Sequence, residues 1–369
     1  MVGAMASDAM HAIDAGGYRV IVGAGLRHEL GVHVAAAARA HRYALITDDQ
    51  VAQHHAETAL ASLARHGRTT VHVMRAGEAH KTRETWATLT DELLEAGCGR
   101  DTTIVALGGG VVGDVAGFVA ATFMRGVPVV QVPTSLLAMI DASVGGKTGV
   151  DTPAGKNLVG VFHSPAAVIA DPTVILTLSS RHLCAGIAEV IKHGVISDEG
   201  YFDDTLRRLP GLADPARADD DAVRLVVARS IAIKARVVAD DERELGRRKI
   251  LNFGHTLGHA IEMVSGFTIL HGEAVAIGMV LEAAIAERLG VATPGTAERI
   301  RRAVRAAGLP DAPRTGMDRS AILAATRGDK KARRGSVEYA LPSRIGAMAG
   351  EGSGWSIPVA DNEVLAVLG

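Results

Sequence analysis

The chain has 369 residues, with 39 Lys and Arg against 41 Asp and Glu for a formal charge of −2, and 48% hydrophobic against 22% charged residues. That is enough apolar chain for two domains with separate cores, and the composition argues against disorder. No global field recruits nucleic acid or an anionic membrane, so an anionic ligand must be held by a local basic cluster, while two cysteines without zinc spacing suit a reducing cytoplasm.

Residues 1–16 read as a disordered leader, with no basic region ahead of an apolar core and hence no signal peptide. Short apolar runs follow: Val20-Ile-Val22, Tyr43-Ala-Leu-Ile46, Thr70-Val-His-Val73, Thr103-Ile-Val-Ala-Leu107, Val129-Val-Gln-Val132 and Ala167-Val-Ile-Ala170. Helical patterns such as Thr82–Ala96 separate several of them, so the segment predicts a mainly parallel, Rossmann-like sheet covered on both faces. The apolar stretch from Thr102 to Met124 has the look of a membrane span, but its glycines make it a buried strand turning into a buried helix. After Pro172 the pattern becomes helical, over 181–196, 199–209, 219–240, 254–264, 272–289, 295–307 and 318–328. Val337–Leu341 is a candidate for one late strand. The expectation is an α/β domain over 17–178 and an all-α domain over 179–369.

Gly108-Gly-Gly110-Val-Val-Gly113-Asp114 follows a predicted strand, opens a predicted helix and has the G-x-G-x-x-G form of a dinucleotide turn. Absent side chains let a pyrophosphate reach the backbone, and the helix start supplies N–H groups. The same glycines also serve a tight structural turn. No acidic residue ends the next strand, so the candidates for gripping a ribose lie earlier, at Asp48 and Glu78. Gly145-Gly-Lys147-Thr148 is not a Walker A loop, because Asp141 stands where the first glycine should.

Arg125, Lys147, Lys156, Lys192, Lys234 and Arg248 recur inside apolar or glycine-rich segments, which suggests a pocket for phosphate or carboxylate. Lys330 and Lys331 read equally well as solvated lysines. In Asn252-Phe-Gly-His255-Thr-Leu-Gly-His259, two imidazoles share one helix face, and His271-Gly-Glu273 follows closely. The histidines suit a zinc site, or merely a capped and packed helix. Glu189 lies among apolar helical residues, where a carboxylate needs a metal or an ion pair with Lys192 or His193.

Taken together, these segments resemble the 3-dehydroquinate synthase family. The resemblance rests on the glycine turn with Ala121-Thr-Phe-Met-Arg125-Gly126, on Gln131-Val-Pro-Thr134-Ser135-Leu-Leu, and on Asp141-Ala-Ser-Val-Gly-Gly-Lys147-Thr148. It continues through Gly155-Lys156-Asn157, Ala188-Glu189-Val-Ile-Lys192, Asp241-Glu-Arg-Glu244, both histidine segments and Asp329-Lys-Lys331, spanning residues 18 to 345 in order. Thr134-Ser135 stands where Thr-Thr is more usual, which keeps the hydroxyl, and nothing after Arg344 follows a recognised pattern.

The resemblance implies a cytoplasmic, homodimeric carbon–oxygen lyase that takes 3-deoxy-D-arabino-heptulosonate 7-phosphate to 3-dehydroquinate and phosphate, in the shikimate route to chorismate and aromatic amino acids. NAD would oxidise and later restore one hydroxyl, with phosphate elimination, ring opening and an aldol closure completing the conversion. It implies an NAD-binding first domain, touched at Asp48, Gly77, Glu78, Lys81, Gly109, Gly110, Val111, Val112, Gly113, Asp114, Thr134, Ser135, Lys147, Lys156 and Thr177. The second domain would bind metal and substrate, with one zinc or cobalt ion per subunit on Glu189, His255 and His271. Lys156, Asn157, Lys192, Lys234, Arg248, Asn252 and His259 would surround the sugar acid, with Arg248 and Lys147 facing its carboxylate. Arg125 would reach phosphate from a neighbouring subunit, with Lys330 or Lys331, and Asp141 and His259 would relay protons. The rival readings are an amino-sugar or another sugar-phosphate cyclase, and a metal-dependent polyol or glycerol-phosphate dehydrogenase. Cyclases whose products lack the carboxylate are not expected to keep Lys234 and Arg248.

Overall fold

A computed structural model describes residues 10–153, 155–212, 220–327, 332–333 and 336–369. Two compact units emerge, one running to Leu178 and including Val223–Ala235, the other made of Ser179–Ala222 and Arg236–Gly369.

The first unit is built on a seven-stranded sheet. Its strands are β1 (His11–Asp14), β2 (Arg19–Val22), β3 (Arg42–Asp48), β4 (Arg68–Met74), β5 (Thr102–Gly108), β6 (Val129–Pro133) and β9 (Ala167–Ala170), in the order β1-β2-β9-β6-β5-β3-β4. All neighbours are parallel except β1, which pairs antiparallel with β2 at one edge. The central strands β5, β6 and β9 are buried along their whole length, as strands covered by helices on both faces must be. Alternation sorts their side chains: Ala44, Ile46, Ile104 and Val129 enter one core, Leu45, Val105, Val130 and Ile169 the other.

Besides the return of Val223–Ala235 to this unit, two of its features depart from the sequence expectation. His11–Asp14, placed there in a disordered leader, forms β1, because glycines at 16 and 17 with φ of 76° and 105° turn the chain back onto it; residues 1–9 of that leader lie outside the described residues. The glycine- and lysine-rich stretch after residue 146 forms an antiparallel hairpin, β7 (Lys147–Thr152) and β8 (Gly155–Phe162). It lacks the alternation that marks a strand. Glycine suits the close approach it makes to the Gly110–Thr122 helix, where a Cβ on Gly117 would stand 2.5 Å from the Thr148 methyl.

The second unit is largely helical, with helices Ser180–Ser197, Glu199–Leu212, His255–Val264, His271–Arg288, Thr296–Ala306, Arg319–Arg327 and Asp361–Val367. A small sheet joins Ala332–Arg333, Ser336–Tyr339 and Ile357–Val359. Among the described residues no helix is long and apolar enough to cross a membrane.

Candidate active site

Chain order reverses in the first sheet between β3 and β5, since β3 leads outward to β4 and β5 leads the other way to β6. Ligands of open α/β sheets bind at such a switch point, beyond the carboxyl ends of the strands. The nucleotide-contact candidates fall there: Asp48 closes β3, Gly77 and Glu78 follow β4, Gly109–Asp114 follow β5, and Thr134 and Ser135 follow β6. The helix after β5 starts at Gly110, and its first intrahelical bond runs from Gly113 N to Gly109 O at 3.0 Å, so the N–H groups of Gly110, Val111 and Val112 belong to the helix's first turn. A Cβ on Gly109 would have Ser135 Oγ, 3.6 Å away, as its nearest neighbour, so the backbone is open to an approaching group. Gly113 is different: its Cβ would lie 2.8 Å from Gln131 Oε1, and its glycine serves packing against β6. The Val112 side chain enters the core, which leaves its backbone to meet a ligand.

Three of the candidate lysines in this unit are paired with carboxylates. Lys81, 3% exposed, donates to Asp114 Oδ2 at 2.6 Å and also to Asn157. Burial opposes its charge, but Asp114, Glu78 and Asp151 outweigh that and hold its pKa above the usual lysine value. Lys156 Nζ lies 3.1 Å from Glu78 Oε1, and Lys234 Nζ is 2.6 Å from Asp141 Oδ1. Asp48 spends one oxygen capping Gln50 N and Val51 N at 3.0 and 2.8 Å. Thr177 Oγ1 meets His55 Nε2 at 3.0 Å, a partner the sequence had not signalled. Lys147 is exposed, as is Arg125, which sits in a turn with φ of 69° beside Met124 at 52°.

In the second unit, Glu189 and Lys192 on the Ser180–Ser197 helix are 0% and 1% exposed and form an ion pair through Glu189 Oε2. The other carboxylate oxygen, Oε1, faces His255 Nε2 at 3.6 Å and His271 Nε2 at 3.8 Å and has no hydrogen-bond partner. Those separations are too long for hydrogen bonds. Nitrogen and oxygen ligands of a tetrahedral divalent ion sit about 3.4 Å apart, so each of these two separations is close to that of a pair sharing a metal. The far ring nitrogens agree: His255 Nδ1 meets Phe253 O at 3.1 Å and His271 Nδ1 faces Glu262 Oε2 at 3.5 Å, which turns both Nε2 atoms inward. Burial, with Lys192, His259 and His271 nearby, holds the His255 imidazole well below its usual range and therefore neutral, the form that ligates metals. His259 joins the cluster, its ring 5.2 Å from that of His255 and 5.6 Å from that of His271. A ring nitrogen of His259 lies within 4.8 Å of those of His255 and His271, and among the described residues it is His259, not Glu189, that completes a three-ligand group with them.

Arg248, 1% exposed, lies in the Arg247–Asn252 turn that leads into His255; its backbone N–H donates to Asp241 Oδ2 at 3.0 Å and its guanidinium to Glu242 O. Asn252, in the same turn, donates to Glu244. Glu273 is no ligand; it pairs with Arg181 at 2.7 Å and caps Leu270 N at 2.9 Å. Lys330 and Lys331 lie outside the described residues.

The fold defines the class: it is that of the sugar-phosphate cyclases. A 2-deoxy-scyllo-inosose synthase, solved with carbaglucose-6-phosphate, NAD+ and Co2+, is similar with a TM-score of 0.90 and 25% identity over 98% of this chain and 99% of that one. A 2-epi-5-epi-valiolone synthase from Streptomyces hygroscopicus, with NAD+ and Zn2+ bound, gives a TM-score of 0.85 and 28% identity, covering 100% and 98%. The chain belongs to the 3-dehydroquinate synthase family: residues 71–185 match the family's N-terminal model and residues 186–332 its C-terminal model. A 3-dehydroquinate synthase from Symbiobacterium thermophilum is 48% identical over 89% of this chain and 92% of its own length.

Proposed function

We infer that this chain converts 3-deoxy-D-arabino-heptulosonate 7-phosphate to 3-dehydroquinate and phosphate, as a phosphate-eliminating carbon–oxygen lyase that uses NAD and one zinc or cobalt ion per subunit. One observation carries the reading: identity is 48% to a 3-dehydroquinate synthase but 25% and 28% to the cyclases of similar fold that make other rings.

When bound, the metal would polarise a substrate hydroxyl and NAD would take and return the hydride of the carbon that bears it, so no net redox change results. Glu189, His255 and His271 are the residues to hold the ion, with His259 turned toward substrate. Lys192 keeps one oxygen of Glu189 engaged and balances its buried charge. The first turn after Gly109, with Thr134 and Ser135, would receive the pyrophosphate of NAD, and Asp48 or Glu78 the ribose. Lys81 holds Asp114 and Asn157 in fixed positions, which preorganises that end of the site. Lys192, Arg248, Asn252, Lys156, Asn157, Lys147 and Lys234 would bind the sugar acid, with Arg248 and Lys147 facing its carboxylate. Asp141, held by Lys234, would carry a proton. Arg125 would reach phosphate with one lysine of the 330–331 pair.

The same reading makes the enzyme a cytoplasmic homodimer. In support, Arg125 points outward, β8 exposes Leu158, Val159, Val161 and Phe162, and Cys98 and Cys184 are free thiols.

The test supplies the heptulosonate phosphate with NAD and zinc and follows phosphate, dehydroquinate and NADH. Phosphate and dehydroquinate should appear together without steady NADH. Steady NADH would favour a dehydrogenase, and full activity after chelation would remove the metal assignment.

A further inference from the structure

The histidine-bearing helix His255–Val264 begins without a capping side chain of its own, because its N-cap is Gly254 at φ 79°. The donors of its first turn nonetheless meet a carboxylate. Glu282, 0% exposed, accepts from Gly254 N through Oε2 at 2.6 Å and from Leu257 N through Oε1 at 3.0 Å. The two donors flank His255. Glu282 lies on the His271–Arg288 helix, about three turns beyond His271.

We propose that Glu282 is a positioning residue: its carboxylate locks the two histidine-bearing helices in register and so sets His255 against His271 before any ion arrives. Ordinary capping residues sit on the helix they cap and fix its local start. This one comes from the partner helix, so the bond it makes carries information about the separation of the two ligands. A negative group also suits the positive end of the helix. Close contact makes the lock rigid, since a Cβ on Gly278 would stand 1.9 Å from Gly254 O and one on Gly258 3.1 Å from Ala274 O. No part of the geometry requires Glu282 to touch substrate or metal.

The inference rests on the metal reading, and its test separates the two. Zinc affinity is measured by competition with a chromophoric chelator on metal-stripped full-length protein. Glu282→Gln keeps the volume but places an amide where one oxygen accepted an N–H, and it should weaken zinc by about 10–100-fold. Ile261→Val, which trims a fully buried side chain on the same helix and removes neither of the Glu282 hydrogen-bonding groups, should leave zinc affinity unchanged. Affinity within twofold of the unaltered protein in Glu282→Gln, or an equal loss in Ile261→Val, would overturn the proposal. Should Glu282→Gln not fold, amide exchange on the unaltered protein decides. The Gly254 and Leu257 N–H groups should be as protected without zinc as with it, and rapid exchange in the stripped protein would refute a preformed lock. Failure of the unaltered protein to bind zinc would sink the metal reading itself, while the amide measurement still reports on the lock.

Discussion

Glu189 is wholly buried, and an ionised carboxylate there costs several kcal/mol unless it is compensated. From sequence, a metal and an ion pair with Lys192 stood as alternatives. The two oxygens divide them: Oε2 pairs with Lys192, and Oε1 faces two imidazoles at distances that suit coordination. A helical spacing of three residues made the first partner legible. The second depends on helices some 65 to 80 residues further along the chain, which spacing does not report. His55 escaped notice for a similar reason, since its partner Thr177 is distant in sequence. Burial, aided by Arg27 and His54, lowers the His55 pKa, so the folded protein resists the proton that the unfolded chain takes up near pH 6.5. The unfolded state then binds more protons below that pH, and stability falls as pH drops from about 6.5 toward the folded value. Replacing His55 with Gln should shrink the difference between urea midpoints measured at about pH 7.5 and 5.5 relative to the unaltered protein. An unchanged difference would show that His55 does not carry this linkage.

Among elements, the two histidine helices show what a motif contains beyond its ligands. The segment Asn252-Phe-Gly-His255-Thr-Leu-Gly-His259 carries two glycines beside its imidazoles. In the fold the glycines are contact surfaces. Gly254 and Gly258 face the His271–Arg288 helix, Gly278 reciprocates, and Gly272 brings that helix against Ala185 of the Ser180–Ser197 helix, where a Cβ would stand 1.9 Å from the Ala185 carbonyl. Three helices thereby converge on Glu189, His255 and His271. Gly278→Ala should force the pair apart, cost about 1–3 kcal/mol of stability and weaken zinc binding. Chemical denaturation and chelator competition on the same sample would check both effects, and loss of stability with intact zinc affinity would uncouple packing from the ligand set.

For the molecule as a whole, the proposed dimer is the property most open to test. Strand β8 exposes Val161 at 42% and Phe162 at 49%, an apolar face that a partner subunit could cover. The unaltered chain should sediment as a dimer, and Val161→Glu should shift it toward monomer. A monomer at every concentration in the unaltered chain would remove the dimer, and with it the sharing of Arg125.

The sequence by itself determined the strand–helix alternation, the six parallel strands and the order of the helices as far as Arg327, though not the last helix, because apolar periodicity is a local property that burial enforces. It also carried the family resemblance, since clustered glycines, lysines and histidines keep their spacing within short segments. It did not supply the β7–β8 hairpin, the β1 edge, the switch point between β3 and β5, or the carboxylate of Glu282 at the start of another helix. The two hairpins are local pairings that the apolar pattern does not report. The switch point and the Glu282 carboxylate were decided by tertiary structure, because they depend on which distant segments come together. Glycine permits such an approach, and only packing chooses where it occurs.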